Sequence, residues 1–173
     1  YDSTTTASNS ILTVTSGVSG ESLSLTGSGV LGAASAGTQT VTNNNTLAIA
    51  NGSGLASNYT LSGATINVTI IPRTLNVTLS REYDGTTSVS GASLTPTFDS
   101  LQGGETLALS GTGSVSTSNV GSSKAVTLGT IALAAGSGNP SNYTLNSATM
   151  NITQRVINLD GIRAYDATTN VLS

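Results

Sequence analysis

Tyr83-Asp84-Gly85-Thr86-Thr87 repeats Tyr1-Asp2-Ser3-Thr4-Thr5 at an offset of 82, and Tyr165-Asp166-Ala167-Thr168-Thr169 repeats it again at the same offset. A fixed period of this length marks a chain assembled from copies of one unit, and it governs every later step in reading the fold. The remaining two tyrosines stand in a second motif, Ser57-Asn58-Tyr59-Thr60-Leu61 and Ser141-Asn142-Tyr143-Thr144-Leu145. All five tyrosines of the chain therefore belong to two recurring motifs. A site used once need not be copied, whereas a stalk is built by copying.

The copies align well beyond the tyrosines. Gly20-Glu21-Ser22-Leu23-Ser24-Leu25 matches Gly104-Glu105-Thr106-Leu107-Ala108-Leu109, at an offset of 84. Ala64-Thr65-Ile66-Asn67-Val68-Thr69 matches Ala148-Thr149-Met150-Asn151-Ile152-Thr153 at the same offset. The offset returns to 82 at the junction, where Ile70-Ile71-Pro72-Arg73 faces the shorter Gln154-Arg155. Length differences thus fall in loops, where chain insertions cost least. Three segments follow: residues 1–72 as a unit lacking its first strand, 73–154 as a complete unit, and 155–173 as the first strand and turn of a third. The chain opens at Tyr1, inside a motif, and so reads as an excerpt of something longer. The junctions carry no long Gly/Ser or Pro linker, so the units are expected in fixed end-to-end geometry.

Within each unit the apolar period is 2. Leu75, Val77 and Leu79 alternate with Asn76, Thr78 and Ser80; Ala148, Met150 and Ile152 alternate with Thr149, Asn151 and Thr153. Such alternation turns one face to a core and the other to water. Gly, Asn and Ser clusters, such as Gly136-Ser137-Gly138-Asn139-Pro140, punctuate the runs. Six or seven short strands per unit predict an all-β chain of tandem immunoglobulin-like β-sandwiches in an extended string. A parallel β-helix would need an inner period of roughly 20–30 residues, and none is present. The rings of Tyr1, Tyr59, Tyr83 and Tyr143 are expected in the cores.

Composition excludes several functions. Charged residues are 8% of the chain, against roughly 25% in ordinary soluble domains. Ser, Thr and Asn number 71 of 173 residues and supply the polarity instead. Five basic residues form no patch, so nucleic acid is not an expected partner. No apolar run reaches the roughly 18 residues of a membrane span. With no histidine, no cysteine and one lysine, most nucleophiles, general bases and transition-metal ligands are missing, so no enzyme and no cofactor are expected.

From Pro72-Arg73 through Tyr83-Asp84-Gly85-Thr86-Thr87 and Asn119-Val120-Gly121 to Asn142-Tyr143-Thr144-Leu145 and the closing Ile152-Thr153-Gln154-Arg155, the sequence resembles the YDG repeat, close to the MBG repeats. Both occur in large bacterial surface adhesins of the filamentous-haemagglutinin-like, two-partner-secreted type. The first copy departs at Ser3, which replaces the glycine, and at Ala36-Gly37, which stands where Val120-Gly121 does. The resemblance implies a secreted, rigid stalk at the bacterial cell surface, used in adhesion and biofilm, without catalysis. It makes neighbouring units of the same protein the expected partners, with an extracellular polysaccharide or host surface ligand beyond them. A carbohydrate-binding module is the alternative function.

Candidate sites follow the motifs. Asp2, Asp84 and Asp166 are read as turn residues whose carboxylates accept backbone N–H groups, with Gly85 in the turn and Tyr1, Tyr83 and Tyr165 anchoring it. A calcium site would need six to eight oxygens, and no Asp-x-Asp-x-Asp run exists. Asn58 and Asn142 precede Tyr59 and Tyr143 and fit the N-glycosylation sequon, as do Asn44, Asn51, Asn67, Asn76 and Asn151. Finally, the tail Val156-Ile157-Asn158-Leu159-Asp160-Gly161 repeats the strand that begins the complete unit. Residues 1–72 lack that strand, so their sheet edge is open to head-to-tail strand exchange between chains.

Overall fold

A computed structural model describes residues 1–162, and it is all-β. Residues 1–72 carry β1 (Thr6–Ser8), β2 (Leu23–Thr26), β3 (Ser28–Leu31), β4 (Gly37–Asn43), β5 (Ala48–Asn51) and β6 (Asn67–Ile70). Residues 73–153 carry β7 (Arg73–Glu82), β8 (Ser88–Ser90), β9 (Thr97–Phe98), β10 (Leu107–Ser110), β11 (Thr112–Val115), β12 (Gly121–Thr127), β13 (Ala132–Ala135) and β14 (Tyr143–Thr153). The helical segments among the described residues are single 3-10 turns, and no helix is long and apolar enough to cross a membrane.

Among the described residues, strands of 6–70 pair only with one another, and so do strands of 73–153. The second group forms a curled six-stranded sheet in the order β8-β11-β12-β14-β7-β9, covered by the ribbon β10-β13. The core lies between them: Leu109 of the ribbon joins Val77, Leu79, Met150 and Ile152 of the sheet in one cluster. The first group shows the order β1-β3-β4-β6 and a separate ribbon β2-β5. Ribbon registers correspond at an offset of 84, Leu23 facing Asn51 and Leu107 facing Ala135.

The pair β7 and β14 forms the spine of the second group. They run parallel, with Leu75 beside Leu145 and Leu79 beside Met150. The period-2 pattern drives Leu75, Val77 and Leu79 fully inward, at 0%, 2% and 0% exposure. On β14 the inward positions are odd-numbered up to Leu145 and even-numbered from Ala148, because a bulge lies between Leu145 and Ser147. The sequence displays these as two separate alternating runs; the structure joins them into one strand of 11 residues. Asn76 secures the bulge by accepting on Oδ1 from Asn146 Nδ2 at 3.0 Å and from Ser147 Oγ at 2.7 Å.

Tight hairpins depend on glycine at one repeated position. Gly111 has φ +76°, and a Cβ there would lie 2.0 Å from the Thr130 carbonyl oxygen. Gly27, its counterpart in the first group, has φ +75° and the same 2.0 Å approach to the Thr46 oxygen. No other residue type fits either turn.

The first group is less well filled. Its buried apolar residues are Ala7, Leu31 and Leu47, whereas the buried residues of both core clusters belong to the second group. The physical cause is that no counterpart of β7 stands beside β6. Without a parallel neighbour, β6 spans 4 residues where β14 spans 11, and the segment 59–66 forms no strand. The expected strand Val156–Gly161 is likewise not formed. It has no sheet to join, and Val156, Ile157 and Leu159 are 82%, 76% and 89% exposed.

Candidate interaction site: the tyrosine joint

The motif residues meet where the first group touches the second. β14 begins at Tyr143, directly after the 3-10 turn Pro140–Asn142, which Asn139 caps by accepting from Ser141 N–H at 3.0 Å. This turn faces the ring inward, and Tyr143 is 5% exposed. Its hydroxyl donates to Glu105 Oε2 at 2.5 Å and accepts from the Gln102 backbone N–H at 3.2 Å. The second Glu105 oxygen, Oε1, accepts from the Tyr1 hydroxyl at 2.7 Å. One carboxylate thus holds two phenols, one from each group of strands. The rings meet edge to face, with centroids 5.4 Å apart and planes at 76°, a favoured aromatic geometry.

A second bond runs alongside. Asn142 is buried, and its Oδ1 accepts from the Ala36 backbone N–H at 2.8 Å. Tyr1 is fixed from behind, its nitrogen donating to the Ile71 carbonyl at 2.6 Å, as Tyr83 N–H donates to the Thr153 carbonyl at 2.9 Å. The carboxylate fits because position 138 is glycine: a Cβ there would lie 2.8 Å from Glu105 Oε2. The first group repeats this recess. Tyr59 hydroxyl donates to Glu21 Oε2, and a Cβ at Gly54 would lie 2.6 Å from the same oxygen.

The environment shifts the phenols. Burial, reinforced by the Glu105 anion, pushes the Tyr1 hydroxyl up to about 12. Burial and then Glu105 raise Tyr143 as well, while Tyr59 is raised chiefly by its bond to Glu21. A tyrosine whose folded value exceeds its unfolded value near 10 adds stability below pH 10 and loses it as pH passes through the folded value. The joint is therefore expected to hold at neutral pH and to part near pH 12. Phenolate absorbance of the intact chain should show a tyrosine ionising near pH 12. Glu105→Gln should lower that midpoint, yet burial should keep it above the ordinary value near 10.

The other motif residues are placed as follows. Asp84 Oδ1 accepts from Thr86 N–H and Thr86 Oγ1, each at 2.9 Å, and Asp2 Oδ1 does the same for Thr4 at 3.0 Å each. These backbone bonds hold both carboxyls below the usual carboxylate range. Gly85 supplies φ +78° in the turn, and Ser3 adopts φ 61° in the first copy despite its side chain. Arg81 ties down the second turn, reaching Asp84 Oδ2 at 3.2 Å and the Thr86 carbonyl at 2.5 Å. Tyr83 departs from expectation: its ring is 39% exposed and no core contains it. Tyr1 and Tyr59 are half-buried, and only Tyr143 is a core residue. Among the described residues Tyr83 has no ring partner, whereas Tyr1 packs on Tyr143. Tyr165 and Asp166 lie outside the described residues.

Sequence spacing gave no sign that Glu105 joins the two tyrosine motifs; the recurrence of Glu21 and Glu105 after a Gly turn was the available signal. Asn142 is buried and bonded through Oδ1 at the joint, whereas Asn58 is exposed. Lys124 Nζ bonds Thr117 Oγ1 at 2.7 Å. Among the described residues no three Asp or Glu side chains gather as a metal site.

Against known families, residues 67–150 match the YDG domain. The match starts at the first residue of β6 and stops within β14, so its ends do not coincide with the break in strand pairing between β6 and β7. No curated protein and no solved structure shows significant similarity to the chain.

Proposed function

We propose that this chain is a stretch of the stalk of a secreted bacterial surface adhesin or extracellular fibre. It would consist of tandem immunoglobulin-like β-sandwich units, one for each period of the Tyr-Asp motif, set end to end outside the cell in the service of adhesion and biofilm formation. It would have no catalytic role. The observation that carries this reading is the joint. The two motifs that recur along the chain are spent on binding one unit to the next: the Tyr-Asp turn offers a ring, and the Ser-Asn-Tyr turn with its glutamate receives it. Residues copied for this purpose serve length and stiffness. The YDG match over 67–150 supports the same reading.

Small-angle scattering of the chain in solution tests it. A stalk segment is expected to scatter as one elongated, fixed body, and Glu105→Ala is expected to broaden its distance distribution by freeing the joint. A wild-type chain that scatters as two freely swinging bodies would overturn the reading. Saturable binding of the wild-type chain on a glycan array would move the assignment to a carbohydrate-binding module.

A further inference from the structure

Tyr1 and Tyr143 form the one aromatic ring pair among the described residues. Their hydroxyls bond the two oxygens of a single carboxylate, Tyr1 to Glu105 Oε1 at 2.7 Å and Tyr143 to Oε2 at 2.5 Å. The shared acceptor fixes more than the 5.4 Å between ring centroids. It draws the hydroxyl ends of both rings to one place, and so sets the ring carbons ortho to each oxygen side by side. In an oxidised phenol the unpaired electron is spread over the oxygen and the ortho and para carbons, and in tyrosine the para carbon is already substituted. The ring planes stand at 76°, and two directly bonded phenols are likewise twisted against each other. The pair is thus placed for a carbon–carbon bond after a short further approach.

The surroundings suit the chemistry as well. Losing an electron makes a phenol strongly acidic, and Glu105 lies within one hydrogen bond of each hydroxyl to take the proton. Tyr143 is 5% exposed, so a radical on it is shielded from other chains. Tyr1 is half-buried and gives an oxidant access from solvent; an electron then passes from Tyr143 to the Tyr1 radical across the ring contact. The other described tyrosines lack this arrangement. Tyr59 bonds Glu21 with no second ring beside it, and Tyr83 is exposed with no ring partner. The chain has no cysteine, so a covalent tie between its two groups of strands cannot be a disulfide.

We propose that the tyrosine joint is a site of oxidative cross-linking, at which Tyr1 and Tyr143 become a dityrosine. The oxidant is hydrogen peroxide acting through a haem peroxidase, which removes electrons one at a time. Each phenol gives one electron to the oxidant and one proton, by way of Glu105, to water. The two radicals join at their ortho carbons. The hydrogen on each of those carbons then moves to the oxygen, which restores two phenols. Two electrons and two protons reduce one peroxide to two waters, so the chain loses two hydrogens in all. Holding the rings together makes the coupling intramolecular, and it outruns encounters between chains. The bond closes a loop from residue 1 to residue 143, and restricting the unfolded chain in this way raises stability. The cross-link goes beyond the stalk reading and rests on the geometry of the joint alone: it makes a hydrogen-bonded contact permanent under oxidising conditions.

Treating the dilute, folded full chain with a haem peroxidase and hydrogen peroxide, then with trypsin, and weighing the peptides tests this. The expected product is one cross-linked pair, peptides 1–73 and 125–155 less two hydrogens, with dityrosine fluorescence and a yield per chain that does not change with chain concentration. The urea midpoint of the cross-linked chain should rise. Tyr1→Phe should abolish the product, whereas Tyr59→Phe, which removes the other tyrosine of peptide 1–73, should keep it. Glu105→Gln keeps a polar partner for both hydroxyls and removes the proton acceptor, so the initial rate should fall roughly tenfold or more. Unfolding the wild-type chain in urea before oxidation should remove the preference for this pair. The proposal fails if the folded wild-type chain yields no such pair, if Tyr59 supplies it in place of Tyr1, or if the products are only chain dimers through Tyr83. Each of these failures leaves the stalk reading to its own scattering test, since a stalk needs the joint but no bond within it.

Discussion

Replacing Tyr143 with alanine is expected to destabilise residues 73–153 by about 3–5 kcal/mol, the cost of truncating a large buried aromatic. The ring is 5% exposed and clusters with Leu75 and Leu107. Its removal opens a cavity at the start of β14 and strips Glu105 of one of its two phenol donors. Tyr143→Phe separates the effects. It keeps the packing and loses a hydrogen bond to a charged acceptor, worth about 1.5–3 kcal/mol. Urea unfolding at neutral pH measures both. Equal losses for the two variants would show that the ring contributes only its hydroxyl, contrary to its burial.

Leu79→Ala is the second large effect. Leu79 is 0% exposed and packs with Val89, Val115 and Met150 between sheet and ribbon. Truncation of such a leucine costs about 2–5 kcal/mol, rising with the cavity that remains. The loss should fall on residues 73–153 alone, because no strand pairs across the boundary between β6 and β7. Residues 1–70, with their three buried apolar side chains, should already open at lower free energy than residues 73–153. Hydrogen exchange resolved by segment reads both statements. If Leu79→Ala lowered protection equally in β4 and in β12, the two groups would be one cooperative unit and the separation drawn here would fail.

Much of the fold was legible because alternation is a property of single strands. Leu75, Val77 and Leu79 announce an inward face on their own, and Asp84 announces its turn because its bond to Thr86 is a local one. Three features were not legible, each for a reason of range. The bulge at Asn146–Ser147 breaks the alternation of β14 into two runs, and nothing local says that one strand continues through it. The exposure of Tyr83 could not be read from its motif, since Tyr1 in a like turn is half-buried; what differs is the neighbour each ring meets. The shortness of β6 reflects a partner strand that does not stand beside it, and its own sequence matches that of the end of β14 closely. Sequence encodes which face a side chain turns inward; partners across a junction leave no spacing to find.

The parallel pairing of β7 with β14 also decides how a unit bears load. The chain enters at Arg73, the first residue of β7, and leaves at Thr153, the last of β14. Tension along the chain therefore pulls the two strands past each other lengthwise. Their ten paired positions are loaded together in shear, and no bond at an end can yield first as in an unzipping hairpin. A unit threaded in this way resists stretching with its whole central ladder at once, as the proposed stalk would require.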